Sequence, residues 1–200
     1  MLMTAAVNEI IAITKRPDKR FEIISNVNKA LSYFTLKADF SRDMAELSVP
    51  IATDSYGESI SLANVDLGFT RFRKIKYIRP RGQRYYLQQI DPTDLLTPGG
   101  SVQTNRFYIA GQNLTYTLSS FDSFLEVGYY QYAPILSETT GEDTHWMLDM
   151  IPWAVMERAA AQIFKSIGDD VSAKFYEQSS LELFITARKD FADQVANYAA

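Results

Sequence analysis

Thr14-Lys-Arg-Pro-Asp-Lys-Arg-Phe-Glu-Ile-Ile-Ser-Asn-Val-Asn-Lys-Ala-Leu-Ser-Tyr-Phe34 sets the character of the first part of the chain. Pro17 has no amide to waste in a first helical turn, and Asp18 complements the positive end of a helix. Beyond them Phe21, Ile24, Val27, Leu31 and Phe34 recur every three or four residues, which predicts one apolar stripe. Lys19, Arg20, Asn26 and Lys29 fall on the polar side. Working backwards, a shorter helix is expected over Thr4 to Lys15, with Thr4 as N-cap, broken from the next at Arg16-Pro17.

Working forwards, the period changes. Ala45–Ile51, Arg71–Ile78, Tyr85–Ile90, Arg106–Ala110 and Asn113–Leu118 are short β-branched or aromatic runs, and Phe124–Tyr132 closes the series. Glycine and proline punctuate them at Gly57, Gly68, Pro80, Gly82, Pro92, Pro98, Gly99, Gly100 and Gly111, which predicts antiparallel strands. From Thr144 the helical period returns. Trp146, Met147, Met150, Trp153, Ala154, Ala160, Ile163, Phe164 and Ile167 are expected on one broad face, with Pro152 kinking the helix or marking its true start. Gly168 ends it, Asp169 or Asp170 caps a last helix, and that helix runs from about Asp170 to Asn197. Its expected stripe is Phe175, Leu183, Phe184, Ala187, Phe191 and Val195. The predicted fold class is α+β: a helical bundle from residues 1–45 and 137–200, with an antiparallel β-rich insertion over 46–136.

Composition narrows the chemistry. The chain has 200 residues, 46% of them hydrophobic, enough for an ordinary core in one domain or a domain with a large insertion. It contains no cysteine, which removes disulfides, thiolate metal sites and cysteine nucleophiles. The single histidine, His145, cannot make a multi-histidine metal site. No apolar run approaches the ~18 residues that a membrane span needs. Met1-Leu-Met-Thr-Ala-Ala6 lacks the basic region of a secretory leader, so synthesis in a cytosol is expected. Ser137, His145 and Asp149 carry the names of a hydrolase triad, yet no Gly-x-Ser-x-Gly elbow accompanies them. Gly99-Gly100 is followed by Ser-Val-Gln, not by the Gly-Lys-Ser/Thr of a phosphate-binding loop. No catalytic residue, metal site or cofactor is expected.

Charge is unevenly spread. The net charge is −4, but Arg71-Phe-Arg-Lys-Ile-Lys-Tyr-Ile-Arg-Pro-Arg-Gly-Gln-Arg84 holds seven cations and no acid, while 137–200 holds five cations against eleven acids. Strict alternation puts Lys74 and Lys76 on one face of the strand, and Ile75 and Tyr77 on the other. Three readings follow: a phosphate-contacting ribbon, a solvated face whose lysines protect an edge strand, or a contact between subunits.

Three runs, taken in order, resemble the head-to-tail adaptor proteins of tailed bacteriophages. The first is Ile10-Ile-Ala-Ile-Thr-Lys-Arg-Pro-Asp18 with its amphipathic helix and then Lys37-Ala-Asp-Phe-Ser-Arg-Asp43. The second is Tyr129-Tyr-Gln-Tyr-Ala-Pro-Ile-Leu-Ser137, leading to His145-Trp-Met-Leu-Asp-Met-Ile-Pro152. The third is Ala159-Ala-Ala161 through Gly168-Asp-Asp170, with Tyr176 beyond. The resemblance implies a virion protein of the head–tail junction, made in the host cytoplasm. It would form a homo-oligomeric ring, usually twelve-fold, beneath a portal protein and above tail or nozzle proteins. Double-stranded DNA would pass through its lumen without specific binding, and no membrane would be involved. The chain end would dock the portal, with Phe191, Val195 and Tyr198 as candidates. Aromatic residues, 13% of the chain, suit interface centres, and Tyr129, Tyr130 and Tyr132 are the candidates there. Arg71, Arg73, Lys74 and Lys76 are assigned to a ring or tail interface. Lining the lumen with them would present ~48 cations to the duplex, too sticky for DNA that must slide. The alternative is a small nucleic-acid-binding module using strand 71–84.

Overall fold

The computed structural model describes residues 1–51, 57–63, 68–94, 103–119, 124–139 and 144–198, with the side chains of 57–58 and 191–198 outside that description. Along the chain two α-helices come first, then the strands of two sheets, then three more α-helices, as an α+β protein. It divides into a helical unit, Met1–Arg42 with Ala133–Ala200, and a β unit, Asp43–Tyr132. These limits fall three and four residues before the 45/46 and 136/137 boundaries read from the sequence.

In the helical unit, α1 (Met3–Thr14) buries Met3, Ala6, Val7, Ile10 and Thr14. It starts after Leu2 without a side-chain cap, so Thr4 is not the N-cap. Its end is set by Lys15 in the left-handed conformation, whose N–H donates to the Ile11 carbonyl. A 3₁₀ turn over Pro17–Lys19 leads into α2 (Arg20–Lys37). Arg16 forks onto Asp18 across that turn, through Nε at 2.9 Å and Nη2 at 2.7 Å. The buried face of α2 is Ile23, Val27, Ala30, Leu31 and Phe34, with Asn26 and Thr35 among them. Phe21, expected in the stripe, is 87% exposed, and Asn26, expected outside, is buried. The true stripe is rotated by one residue at its start, from Phe21 and Ile24 to Ile23.

After the β unit, residues 133–139 return along α2. Asn28 receives the Leu136 N–H at 2.8 Å and gives a proton to its carbonyl at 3.0 Å, while Arg20 grips Glu138 at 2.6 Å. Then α3 (Trp146–Met150), α4 (Pro152–Ser166) and α5 (Asp170–Tyr198) follow. Pro152 opens α4, so the helix expected over 144–167 is two helices, divided at Ile151. Ala154, Val155, Met156, Ala159, Ala160, Ala161 and Ile163 bury α4 on nearly all sides against α1, α2 and α5. Gly168 at φ 82° adopts the left-handed conformation that stops α4, and Asp169 Oδ1 caps α5 by accepting the Ser172 N–H at 3.0 Å. Phe34, Phe40, Trp146 and Phe184 form the aromatic centre: Phe34 stacks on Phe184 at 4.5 Å, and Phe40 meets Trp146 edge-on at 4.9 Å. Arg158 lies 3.5 Å over the Tyr33 ring and 3.4 Å from Glu177, tying α4 to α2 and α5.

The β unit is two sheets sharing one core. The first has the order β1 (Met44–Pro50), β7 (Phe124–Gln131), β3 (Phe72–Pro80), all antiparallel. The second has the order β2 (Gly57–Ser61), β6 (Asn113–Thr117), β5 (Arg106–Ala110), β4 (Gln88–Gln89). Two expectations change here. The run Tyr85–Ile90 supplies a strand of two residues, paired parallel to β5, and Gly57, read as punctuation, opens a further strand, Gly57–Ser61. Val49, Ile78, Leu125, Val127 and Tyr129 face Ile60, Phe107, Leu114, Tyr116 and Leu118 in the shared core.

On the first sheet, β7 is flanked on both sides, and its Gly128 is covered by the ring of Tyr77. A Cβ built there would stand 2.6 Å from Tyr77 Cζ. Gly128→Ala is therefore expected to destabilise the chain by about 1–3 kcal/mol. Removing the ring in Tyr77→Ala/Gly128→Ala should recover part of that loss relative to Tyr77→Ala alone. Urea denaturation of the four proteins measures the coupling; simple additivity would show that the ring does not rest on Gly128.

Candidate binding surfaces

The basic strand is shaped by two β-bulges. Opposite β7 the register runs Phe72 to Gln131, Lys74 to Tyr130, Ile75 to Tyr129, Tyr77 to Gly128 and Ile78 to Val127, so Arg73 and Lys76 are the extra residues. Each insertion flips the alternation. Ile75 and Ile78 share the core side, whereas Lys74, Tyr77 and Arg79 share the outer side with Tyr130, Gly128 and Glu126. The expected pairing of Ile75 with Tyr77 on one face is thus corrected: the bulge at Lys76 separates them.

The outer side is an organised ladder. Tyr77 crosses Gly128 and donates its hydroxyl proton to Glu46 on β1. Arg79 pairs with Glu126. Arg73 and Lys74 lie 5.3 and 5.5 Å over the Tyr130 ring, and Arg81 lies 5.3 Å over Phe124. Of the four basic candidates, Arg71, Lys74 and Lys76 are exposed and Arg73 is half-buried. Arg71 holds φ 48° and its carbonyl receives the Tyr132 N–H at 2.7 Å, extending the β3–β7 ladder past Phe72. Burial, then the hydrogen bond to Glu46, pushes the Tyr77 phenol from its ordinary value up to about 12.

The aromatic candidates divide. Tyr129 is wholly buried, its hydroxyl accepting the Thr70 N–H at 3.2 Å, and Tyr130 is buried beneath Arg73 and Lys74. As neighbours on the central strand of three, both are spent inside the β unit, and only Tyr132, 43% exposed, is free for a contact. Aromatic composition treats such a run alike at every position; the strand order decides which members reach solvent. The backbone of α5 carries Phe191, Val195 and Tyr198, whose side chains lie outside the described residues.

Among the described residues, the helical unit holds eleven of the fourteen exposed large hydrophobic side chains. They include residues expected in its core: Phe175 at 66%, Trp153 at 52%, and Met150, Ile167 and Leu183. On α5 the buried positions are Ala173, Ser180 and Phe184. Diametrically opposite run Val171, Phe175, Gln178, Glu182 and Ile185, one narrow exposed stripe about 21 Å long. Beside it a groove of about 470 Å³ lies between the α3–α4 junction and α5, lined by Met150, Trp153 and Leu183, with Glu182 and Asp190 among its acids.

The triad names do not converge. His145 Nδ1 accepts the Met147 N–H at 3.3 Å and caps α3, Asp149 pairs with the Met1 amine, and Ser137 Oγ lies 3.2 Å from Thr139 Oγ1. Among the described residues no group of three or more His, Asp or Glu side chains is placed to hold a metal ion, and no helix is long and apolar enough to cross a membrane. No known family model matches the chain, and no curated protein matches it.

The Tyr77 phenol gives this surface a pH signature. Its folded pKa lies above the ordinary value of 10, so its contribution to stability is complete below pH 10 and is lost as pH rises toward 12. Phenolate absorbance of the folded chain should show one tyrosine titrating near pH 12, absent from Tyr77→Phe. A difference spectrum centred near pH 10 would contradict the ladder.

Proposed function

We propose that this chain is a structural virion protein that forms a ring at the head–tail junction of a tailed phage. In that reading it sits beneath the portal, extends the DNA channel and docks tail components. It acts through surfaces and carries no catalytic site. One observation carries the proposal: α5 borders two different surfaces that expose apolar side chains, a stripe of Val171, Phe175 and Ile185 interrupted by Gln178 and Glu182, and the Met150–Trp153–Leu183 groove. A two-fold dimer needs one self-complementary patch, whereas a ring joins two unlike patches head to tail. Single exposed apolar residues are ordinary; a stripe and a groove on one helix call for partners. The order of the three runs resembling phage adaptors supports the same reading.

The nucleic-acid alternative rests on the seven cations of 71–84. Arg79 is held by Glu126, Arg73 and Lys74 by the Tyr130 ring, and Arg81 by the Phe124 ring. Those engagements favour a protein-facing or solvated role over a phosphate ribbon.

Size-exclusion chromatography with light scattering, alone and with the cognate portal, tests the proposal. The wild-type chain should form a high-copy ring, on the portal if not alone. Val171→Asp/Phe175→Asp alters exposed positions only and should leave helicity intact while abolishing the ring. A chain that stays monomeric with portal, or a double variant that assembles like wild type, would overturn the assignment. Charge reversal at Lys74 and Lys76 should impair ring or tail assembly; unchanged assembly with loss of bound DNA would favour the nucleic-acid alternative.

A further inference from the structure

β3 lies at the edge of its sheet, and a cavity opens beside it. Ile78 offers its carbonyl outward and receives the Leu87 N–H at 2.8 Å, so the edge already templates an extended segment at one end. Toward Phe72 no further strand joins that edge among the described residues. Between β3 and β4 lies a cavity of about 500 Å³. Ile75, Leu87 and Phe107 supply its apolar lining, and Lys76, Tyr77 and Tyr86 its polar lining. Tyr86 is exposed and stands edge-on to Tyr77 at 5.5 Å. Lys76 and Arg84 are exposed, and neither has an ion-pair partner among the described residues.

We propose that the outer edge of β3 is a strand-addition site for an extended acidic segment of a partner polypeptide, with apolar and acidic residues alternating along it. Strand addition draws affinity from main-chain hydrogen bonds and selectivity from pockets for alternate side chains. Here the apolar side chains of the incoming strand would enter the Ile75–Leu87–Phe107 lining, and its carboxylates would meet Lys76 and Arg84. Charge selects the occupant. β3 carries Arg73, Lys74, Lys76 and Arg79 and no acid, so the same edge of a second copy would set cations against cations, and like charges facing one another across a strand pair are destabilising. The bulge at Lys76 leaves Ile75 and Tyr77 on opposite sides, so an added strand has an apolar side and a polar side to match. The inference concerns the β unit alone and stands whether or not the chain forms a ring.

The test titrates the full chain with a capped seven-residue peptide alternating glutamate and valine, by calorimetry and by backbone amide exchange. Saturable binding with new protection at residues 74–77 is expected. Lys76→Glu and Arg84→Glu should each weaken it by up to about tenfold, since reversal removes an attraction and adds a repulsion. A peptide with proline at its central position, which loses a strand N–H, should weaken it by about fivefold or more. The inference fails if the peptide does not bind at millimolar concentration, or if its lysine–valine counterpart binds equally. It fails too if the proline peptide or both variants leave affinity unchanged, or if protection appears elsewhere. Tighter binding of oligothymidylate than of the acidic peptide would assign the edge to nucleic acid and overturn the inference.

Discussion

Antiparallel pairing of β1 with β7 is the constraint on which the rest of the architecture depends, because it sets Met44 opposite Tyr130 and so returns the chain to where it left the helical unit. A helical core assembled from two distant stretches must bear the entropy of closing the loop between them. Pairing the first strand of the inserted unit with its last closes that loop inside the β unit. The returning chain is then held on α2 by the two Asn28–Leu136 hydrogen bonds and by the Arg20–Glu138 fork. In the same unit Trp146 packs on Phe40 and Phe184 on Phe34.

The same strand, β7, governs the basic surface. Its Gly128 has no side chain, which leaves room for Tyr77 to lie flat across the sheet and reach Glu46 on the far strand. Tyr77 can be there only because the bulge at Lys76 turns it outward. One inserted residue thus decides which cations line the sheet and which apolar residues join the core. A bulge has no signature in a period-two reading, and this is why alternation assigned Ile75 and Tyr77 to one face. The polar strand Gly57–Ser61 was equally hidden: it carries one buried apolar residue, Ile60, and draws its place from β6. Where punctuation was sharp the sequence was legible, as at Arg106–Ala110 and Asn113–Thr117, joined through Gly111-Gln112.

Helices were legible as elements and less so as faces. Pro17, Pro152 and Gly168 mark real boundaries, and α2 differs from expectation only in the rotation of its first turns. Met147, Ala154, Ala160, Ile163 and Phe184 are buried as their period predicts, but other members of the same stripes are not. A periodic stripe reports burial without saying whether the burying partner belongs to the same chain. Phe175, Leu183, Met150 and Trp153 satisfy the pattern of core residues and stand exposed.

Among the described side chains of α5, the inward side carries Ala173, Ser180 and Phe184, flanked by Tyr176 on Phe164 and by Leu181 against the core, while Val171, Phe175 and Ile185 point outward. The small residues inside let α4, itself rich in alanine, approach closely. In an isolated unit each outward aromatic or aliphatic side chain forgoes ~1.5–3 kcal/mol of burial, which a neighbouring copy in the proposed ring would supply. In that proposal the Trp153 groove, next to the stripe and unlike it in shape, would give the neighbour a different surface to occupy, and a contact between unlike surfaces repeats from copy to copy until the rotation closes.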